Sequence, residues 1–184
     1  MLNQIEQDSL IKEGTLRLMT SGEISMAREI FGHSITYSRV WVHCGSYLPF
    51  GLQGRYVGMS PNGEIYFRKE TFLNDFSFTA DYSRQHFFIH ELAHVWQHQQ
   101  GRWVRLRGMF SWAADYYYQL NNQELTDYSL EQQASIIADY WLLKRYGLPA
   151  WQFGRGRYVK YTGPIDNNIK ANYERVLNSF LQRR

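Results

Sequence analysis

Four histidines set four residues apart constrain this chain more tightly than any other feature. His86, His90, His94 and His98 fall on one stripe of an α-helix, because four residues advance close to a full turn. The helical pattern runs from about Ser83, carries Ile89, Leu92, Ala93, Val95 and Trp96 as apolar packing, and is closed by Gly101. Each adjacent pair of imidazoles is spaced to meet one ion. The whole ladder is not: from His86 to His98 the axial rise is about 18 Å, whereas a zinc–nitrogen bond is about 2 Å long.

What lies between the rungs selects the pair. His86 and His90 bracket Phe87, Phe88 and Ile89, while His94 and His98 bracket Val95, Trp96 and Gln97. Only His90 and His94 bracket a glutamate at the first position. A turn of about 100° per residue sets Glu91 beside a bound ion rather than beneath it. The expected chemistry is one zinc per chain held by His90 and His94, with Glu91 taking the proton of a bound water. The competing reading is a helix whose histidines are surface or core residues. His86 and His98 are expected beside the site or in solvent.

A catalytic zinc takes three protein ligands and leaves one position open. No histidine follows His98, so the third ligand is a downstream carboxylate, or His33 or His43 folded back. The later acids are Asp115, Glu124, Asp127, Glu131, Asp139, Asp166 and Glu174. Glu131 is the expected ligand. It stands in the first turn of a strong helix, and Ala134, Ser135 and Ala138 on the same face let two helices approach closely. Asp127 and Glu124 come next, and a capping carboxylate is the competing role for Glu131.

Around these helices the chain reads as one α+β domain over residues 1–184, with a small mixed or antiparallel sheet packed on the histidine helix and further helices. Thr20 with Glu23 predicts a helix start and Gly32 its stop. Residues 39–44 alternate as a strand, and two short strands are expected around the turn Ser60-Pro61-Asn62-Gly63. Ser129 with Gln132 starts the second strong helix; Gly147 and Pro149 predict its end. From Pro164 onward, Ile165, Ile169, Tyr173, Val176, Leu177 and Phe180 share one helical face. The loop of residues 153–163, rich in glycine and arginine, is given no role.

Composition excludes several classes. Cys44 is the lone cysteine, so neither an intrachain disulfide nor a thiolate cluster is available. A net charge of +3 is too weak to argue for nucleic acid, and no apolar run is long enough to span a bilayer. The start of the sequence lacks a basic segment followed by an apolar run, which predicts synthesis in a cytosol and any export by a route without a cleaved signal. The 14 tyrosines, 11 phenylalanines and 6 tryptophans suit a core and a cleft that grips an extended polymer.

Four segments, residues 21–32, 60–67, 88–101 and 131–141, together resemble the Vgr-related zincin-like proteins encoded with bacterial type VI secretion and Rhs elements. The resemblance runs from about Thr20 to Tyr146. It implies a gluzincin-type site of His90, His94 and Glu131 with Glu91 as acid/base, and a role as a delivered effector or an accessory of the secretion apparatus. A Vgr- or Rhs-type carrier and an immunity protein are the partners it implies. One departure is local: the commoner pattern has an acid four residues after the ligand glutamate, where this chain has Ser135, and Asp139 follows a turn later.

As a peptidase the site would need a donor for the developing oxyanion. Tyr116, Tyr117 and Tyr118 offer one, with Tyr140 a further candidate; Tyr118 and Tyr140 are the residues expected to serve. Cleavage of protein substrates is the leading expectation. A cell-wall peptide amidase and a zincin-shaped binding or assembly module without catalysis are the alternatives.

Overall fold

The computed structural model describes residues 12–102 and 115–184. The opening segment and residues 112–114, the start of the tyrosine-rich stretch, lie outside the described residues. In chain order the elements are β1 (Leu16–Leu18), α1 (Ser21–Phe31), β2 (Trp41–Cys44), β3 (Ile65–Phe67), α2 (Tyr82–Gln99), α3 (Leu130–Gly154), α4 (Ile169–Val176) and α5 (Asn178–Gln182). The architecture is α+β. Its sheet is mixed, in the order β1-β2-β3, with β2 antiparallel to β1 and parallel to β3.

The helix starts follow their side-chain chemistry. Thr20 and Glu23 form a reciprocal capping box on α1, and Ser129 and Gln132 form another on α3. Asp81 caps α2 by accepting from the Ser83 amide. The sheet buries Val42, Cys44, Ile65 and Phe67 on one face. Phe67 meets Phe76, Phe87 and Phe88 with ring centroids 4.8, 5.1 and 6.4 Å away, so α2 lies directly against the strands. On its other side α2 packs along α3, whose Ala134, Ile137, Ala138 and Trp141 are fully buried. The histidine helix is thus clamped between a sheet and a second helix, which fixes its rotation.

Three expectations change. The strand β1 has three residues, too short a run to carry a period that predicts it. The hairpin around Pro61 does not form. Only Met59 pairs with Tyr66, while the Gln53 amide donates to the carbonyls of Val57 and Tyr66, and β3 joins β2 instead. The predicted stop at Gly147 holds: its backbone (φ 79°, ψ 178°) breaks the helical run within α3, and Pro149 opens the turn that continues to Gly154, where its missing N–H costs little. The last predicted helix is two short ones, α4 and α5; Ile165 precedes them and is exposed.

Candidate metal centre

The helices α2 and α3 run antiparallel, and the register is set by two contacts between imidazole and carboxylate. His86 Nε2 lies 2.6 Å from Asp139 Oδ1, and His94 Nε2 lies 3.1 Å from Glu131 Oε2. His90 Nε2 approaches the same Glu131 oxygen at 3.4 Å. Ligand atoms of His90, His94 and Glu131 all fall within 4.8 Å of one another. The small residues expected to permit this approach, Ala134, Ser135 and Ala138, do lie buried in α3.

Hydrogen-bond logic orients His94. The Gln97 amide nitrogen donates to the Leu130 carbonyl at 2.9 Å, which turns its oxygen towards His94 Nδ1 at 2.8 Å. Nδ1 must therefore carry a hydrogen, and the lone pair of Nε2 faces Glu131. Two acceptors face each other, and a positive charge has to lie between them. Burial works against a proton on His94, but the Glu131 charge and hydrogen bond override it and raise the group to about 9. Burial also pushes the Glu131 carboxyl up; the His94 charge and the bonds from both imidazoles outweigh this and hold it well below the usual carboxylate range.

A divalent cation meets the same demand with all three donors at once. Zinc bonded tetrahedrally to imidazole nitrogen and carboxylate oxygen sets its donors about 3.3 Å apart. The nitrogen–oxygen separations of 3.1 and 3.4 Å bracket that value. Ser135 Oγ, buried beside the cleft, has no partner among the described residues, which marks a polar pocket around the donors. The residues present fit zinc.

These donors lie in a cleft of about 550 Å³. Glu91 is in its wall, 3% exposed, with Oε2 accepting from the Ser60 hydroxyl at 2.8 Å. Burial raises the Glu91 carboxyl, opposed by the charges of His94 and His90 and by the Ser60 bond. Gly58 crosses directly above it. A Cβ there would stand 2.5 Å from Glu91 Oε1, so no other residue fits without displacing the carboxylate. Glu91 touches neither Glu131 nor an imidazole nitrogen by hydrogen bond, which keeps it outside the donor set.

Other expected residues fall elsewhere. Tyr118 and Tyr140 do not line the cleft. Tyr118 is buried, donating to Asp139 at 2.6 Å, because its short pairing with Tyr161 turns it inward; Tyr140 donates to Glu174 at 3.0 Å. Tyr116, two residues before Tyr118, lines the cleft with its ring 6.2 Å from that of His90. Its hydroxyl is pushed well up by burial and by the Glu131 and Glu91 charges, and so stays a donor. Glu124 accepts from the Ser179 hydroxyl and Asp127 caps the Glu124 amide, so neither joins the donors. His43 bonds Glu64 at 2.7 Å, and His33 is exposed. Asp139 serves His86 and not a ligand imidazole. His86 is buried and lines the cleft; His98 is half-buried beside Gly63.

No local pattern places Ser60 above Glu91, since 31 residues separate them, nor Arg157, Tyr158 and Lys160, which line the cleft from the glycine- and arginine-rich loop.

No family model matches the chain. Over 140 residues, 70% of its length, it is 43% identical to the type VI secretion system spike protein VgrG2b of Pseudomonas aeruginosa, and the match spans 13% of that protein. Among solved structures, the effector domain of Pseudomonas aeruginosa VgrG2b is similar with a TM-score of 0.63 at 33% identity, covering 86% of this chain and 93% of that domain. These relationships agree with the expected link to type VI secretion and with the α+β fold.

Proposed function

Since the chain belongs to the family of the VgrG2b effector domain, we propose that it is a type VI secretion effector of zincin-like, gluzincin type that hydrolyses peptide bonds with zinc. The observation that carries this reading is the convergence of His90, His94 and Glu131 at one wall of a cleft that also holds the buried Glu91.

A zinc ion held by these three residues supplies Lewis acidity, lowering the pKa of water and polarising a carbonyl oxygen. The remaining chemistry belongs to the chain. Ser60 occupies Glu91 Oε2, which leaves Oε1 to take a proton and pass it to the leaving nitrogen. The raised proton affinity of Glu91 suits both halves of that transfer. Tyr116, kept protonated, offers its O–H to an oxygen gaining negative charge. Gly58 and Ser60 cover Glu91 and hold bulk water away from it. A secretion spike is the proposed carrier, because the matched relative is itself a spike protein.

The test is to load the purified chain with zinc, measure its metal content, and incubate it with unfolded protein and with peptidoglycan. Fragmentation of the protein that stops with chelator and returns with zinc is expected. Release of peptides from peptidoglycan alone would move the substrate to the cell wall. Inertness of a fully zinc-loaded chain towards both would leave a binding or assembly module.

A further inference from the structure

Of the two rungs of the histidine ladder outside the metal donors, one is built with as much care as the donors themselves. His86 is buried, and its Nε2 faces Asp139, which is fully buried. The second Asp139 oxygen accepts from the Tyr118 hydroxyl at 2.6 Å and from the Lys160 amide at 2.9 Å. Behind Tyr118 stands the Tyr173 hydroxyl, also at 2.6 Å, and behind that the Trp151 indole nitrogen at 3.2 Å.

The direction of every hydrogen in this chain follows. An indole N–H can only donate, so Tyr173 accepts from Trp151. Tyr118 donates to Asp139, so its oxygen is the acceptor for Tyr173. All donors point at Asp139. Its first oxygen is thereby left to accept from His86, and the hydrogen of that imidazole sits on Nε2. In the neutral imidazole the other nitrogen, Nδ1, then carries a lone pair. Nδ1 has no partner among the described residues, and His86 lines the cleft with its ring 5.2 Å from that of Tyr158. Along α2 it stands one turn, about 6 Å, from His90.

We propose that His86 is a substrate-binding residue whose Nδ1 accepts a hydrogen bond from a backbone N–H of the peptide in the cleft. This rests on the peptidase reading, because an extended peptide presents amide hydrogens at regular intervals to a wall beside the metal donors. Asp139 is the positioning residue: it selects the tautomer that makes Nδ1 an acceptor. The buried run from Trp151 through Tyr173 and Tyr118 leaves Asp139 no other arrangement, which gives a function to a network the metal does not use.

The test uses zinc-loaded full chain and a hydroxamate-capped tripeptide, together with versions of that probe each N-methylated at a single backbone nitrogen. Methylation at one position is expected to weaken binding to the wild type by roughly tenfold, the worth of one hydrogen bond. The same methylation should cost nothing in His86→Ala. Asp139→Asn is the second variant. Its amide oxygen must stay with Tyr118 and Lys160, so its NH2 faces His86 Nε2 and drives the hydrogen to Nδ1. It too should lose the discrimination, while zinc content stays at wild-type level. Imidazole nitrogen spectra are expected to find the His86 hydrogen on Nε2 in the wild type and on Nδ1 in Asp139→Asn. If no methylated position depends on His86, or the wild-type hydrogen lies on Nδ1, the proposal falls while zinc-dependent binding of the parent probe upholds the metal site. If the wild type binds the parent probe equally with and without zinc, the metal reading falls and takes the proposal with it.

Discussion

Two contacts between the same pair of helices use the same chemistry and reach opposite ends. At one, His86 meets Asp139; at the other, His94 and His90 meet Glu131. The difference lies in the donors around each carboxylate. Asp139 receives the Tyr118 hydroxyl and the Lys160 amide as well as an imidazole, all in full burial. Glu131 receives imidazoles alone, at the edge of the cleft and 16% exposed. Asp139 is saturated by donors of the protein. Glu131 and its histidines leave acceptor facing acceptor, a gap that a proton on His94 fills in the bare chain and that a zinc ion would fill in its place. A histidine–carboxylate pair is therefore no guide to a metal unless its other hydrogen bonds are counted.

The sharpest way to break this comparison is to remove one charge from each contact. Glu131→Gln is expected to weaken zinc binding by more than about a hundredfold, beyond the 10–100-fold typical of residues that only support a ligand. Asp139→Asn is expected to keep near wild-type affinity, as are Asp127→Asn and Glu124→Gln. Competition with a chelator reads all four. Equal losses in Glu131→Gln and Asp139→Asn would mean the two contacts form one site.

Stability should answer the other way. Asp139→Ala strands three buried donors, on His86, Tyr118 and the Lys160 amide, and each orphaned group costs about 1–3 kcal/mol. A loss of at least about 3 kcal/mol is expected in denaturant unfolding of the chelator-treated protein. Glu131→Ala, compared under the same conditions, leaves two imidazoles near the cleft surface that can shed their protons, and should cost clearly less. Glu91→Gln tests the residue between the two contacts. It should retain zinc and fold but lose hydrolysis by at least about a hundredfold. A variant as active as the wild type would assign the proton transfer elsewhere.

How far the sequence reached has the same physical divide. The rungs His90 and His94 were legible because a helix turns spacing into geometry, and Glu131 because small residues beside it announce a close helix pair. The capping boxes at Thr20 and Ser129 were legible for the same local reason. What crosses the chain was not. Asp139 pairs with His86 over 53 residues, and Ser60 reaches Glu91 over 31. The choice among Tyr116, Tyr117 and Tyr118 depends on one bridge to Tyr161, a contact that no local pattern encodes. The α+β class followed from the alternation of patterns, but the parallel pairing of β3 with β2 joins segments distant in the sequence, and no local pattern encodes it.

The smallest expected effect separates the two contacts by pH. In chelator-treated protein the folded chain holds a proton on His94 up to about 9, against 6.5 for an ordinary histidine. Burial opposes that proton and the Glu131 charge wins. A group whose proton affinity is raised by folding stabilises the fold fully below its unfolded pKa and stops doing so as pH climbs through the folded one. The His94 contribution is thus intact below 6.5 and lost by the time pH passes about 9. Glu131 acts with the opposite sign: its carboxyl lies below the ordinary 4.5, so its contribution is intact above that pH and fails only in stronger acid. Zinc competes with the proton for the same His94 nitrogen, so its affinity rises across the window in which the proton leaves. Unfolding temperatures of zinc-loaded and chelator-treated protein should therefore diverge by several degrees between pH 6.5 and about 9, the treated form falling as the loaded form holds. Asp139→Asn should show the same divergence, since its contact shares no nitrogen with the metal. Parallel curves in the wild type would mean that proton and zinc do not contend for His94, and the contrast between the two carboxylates would lose its cause.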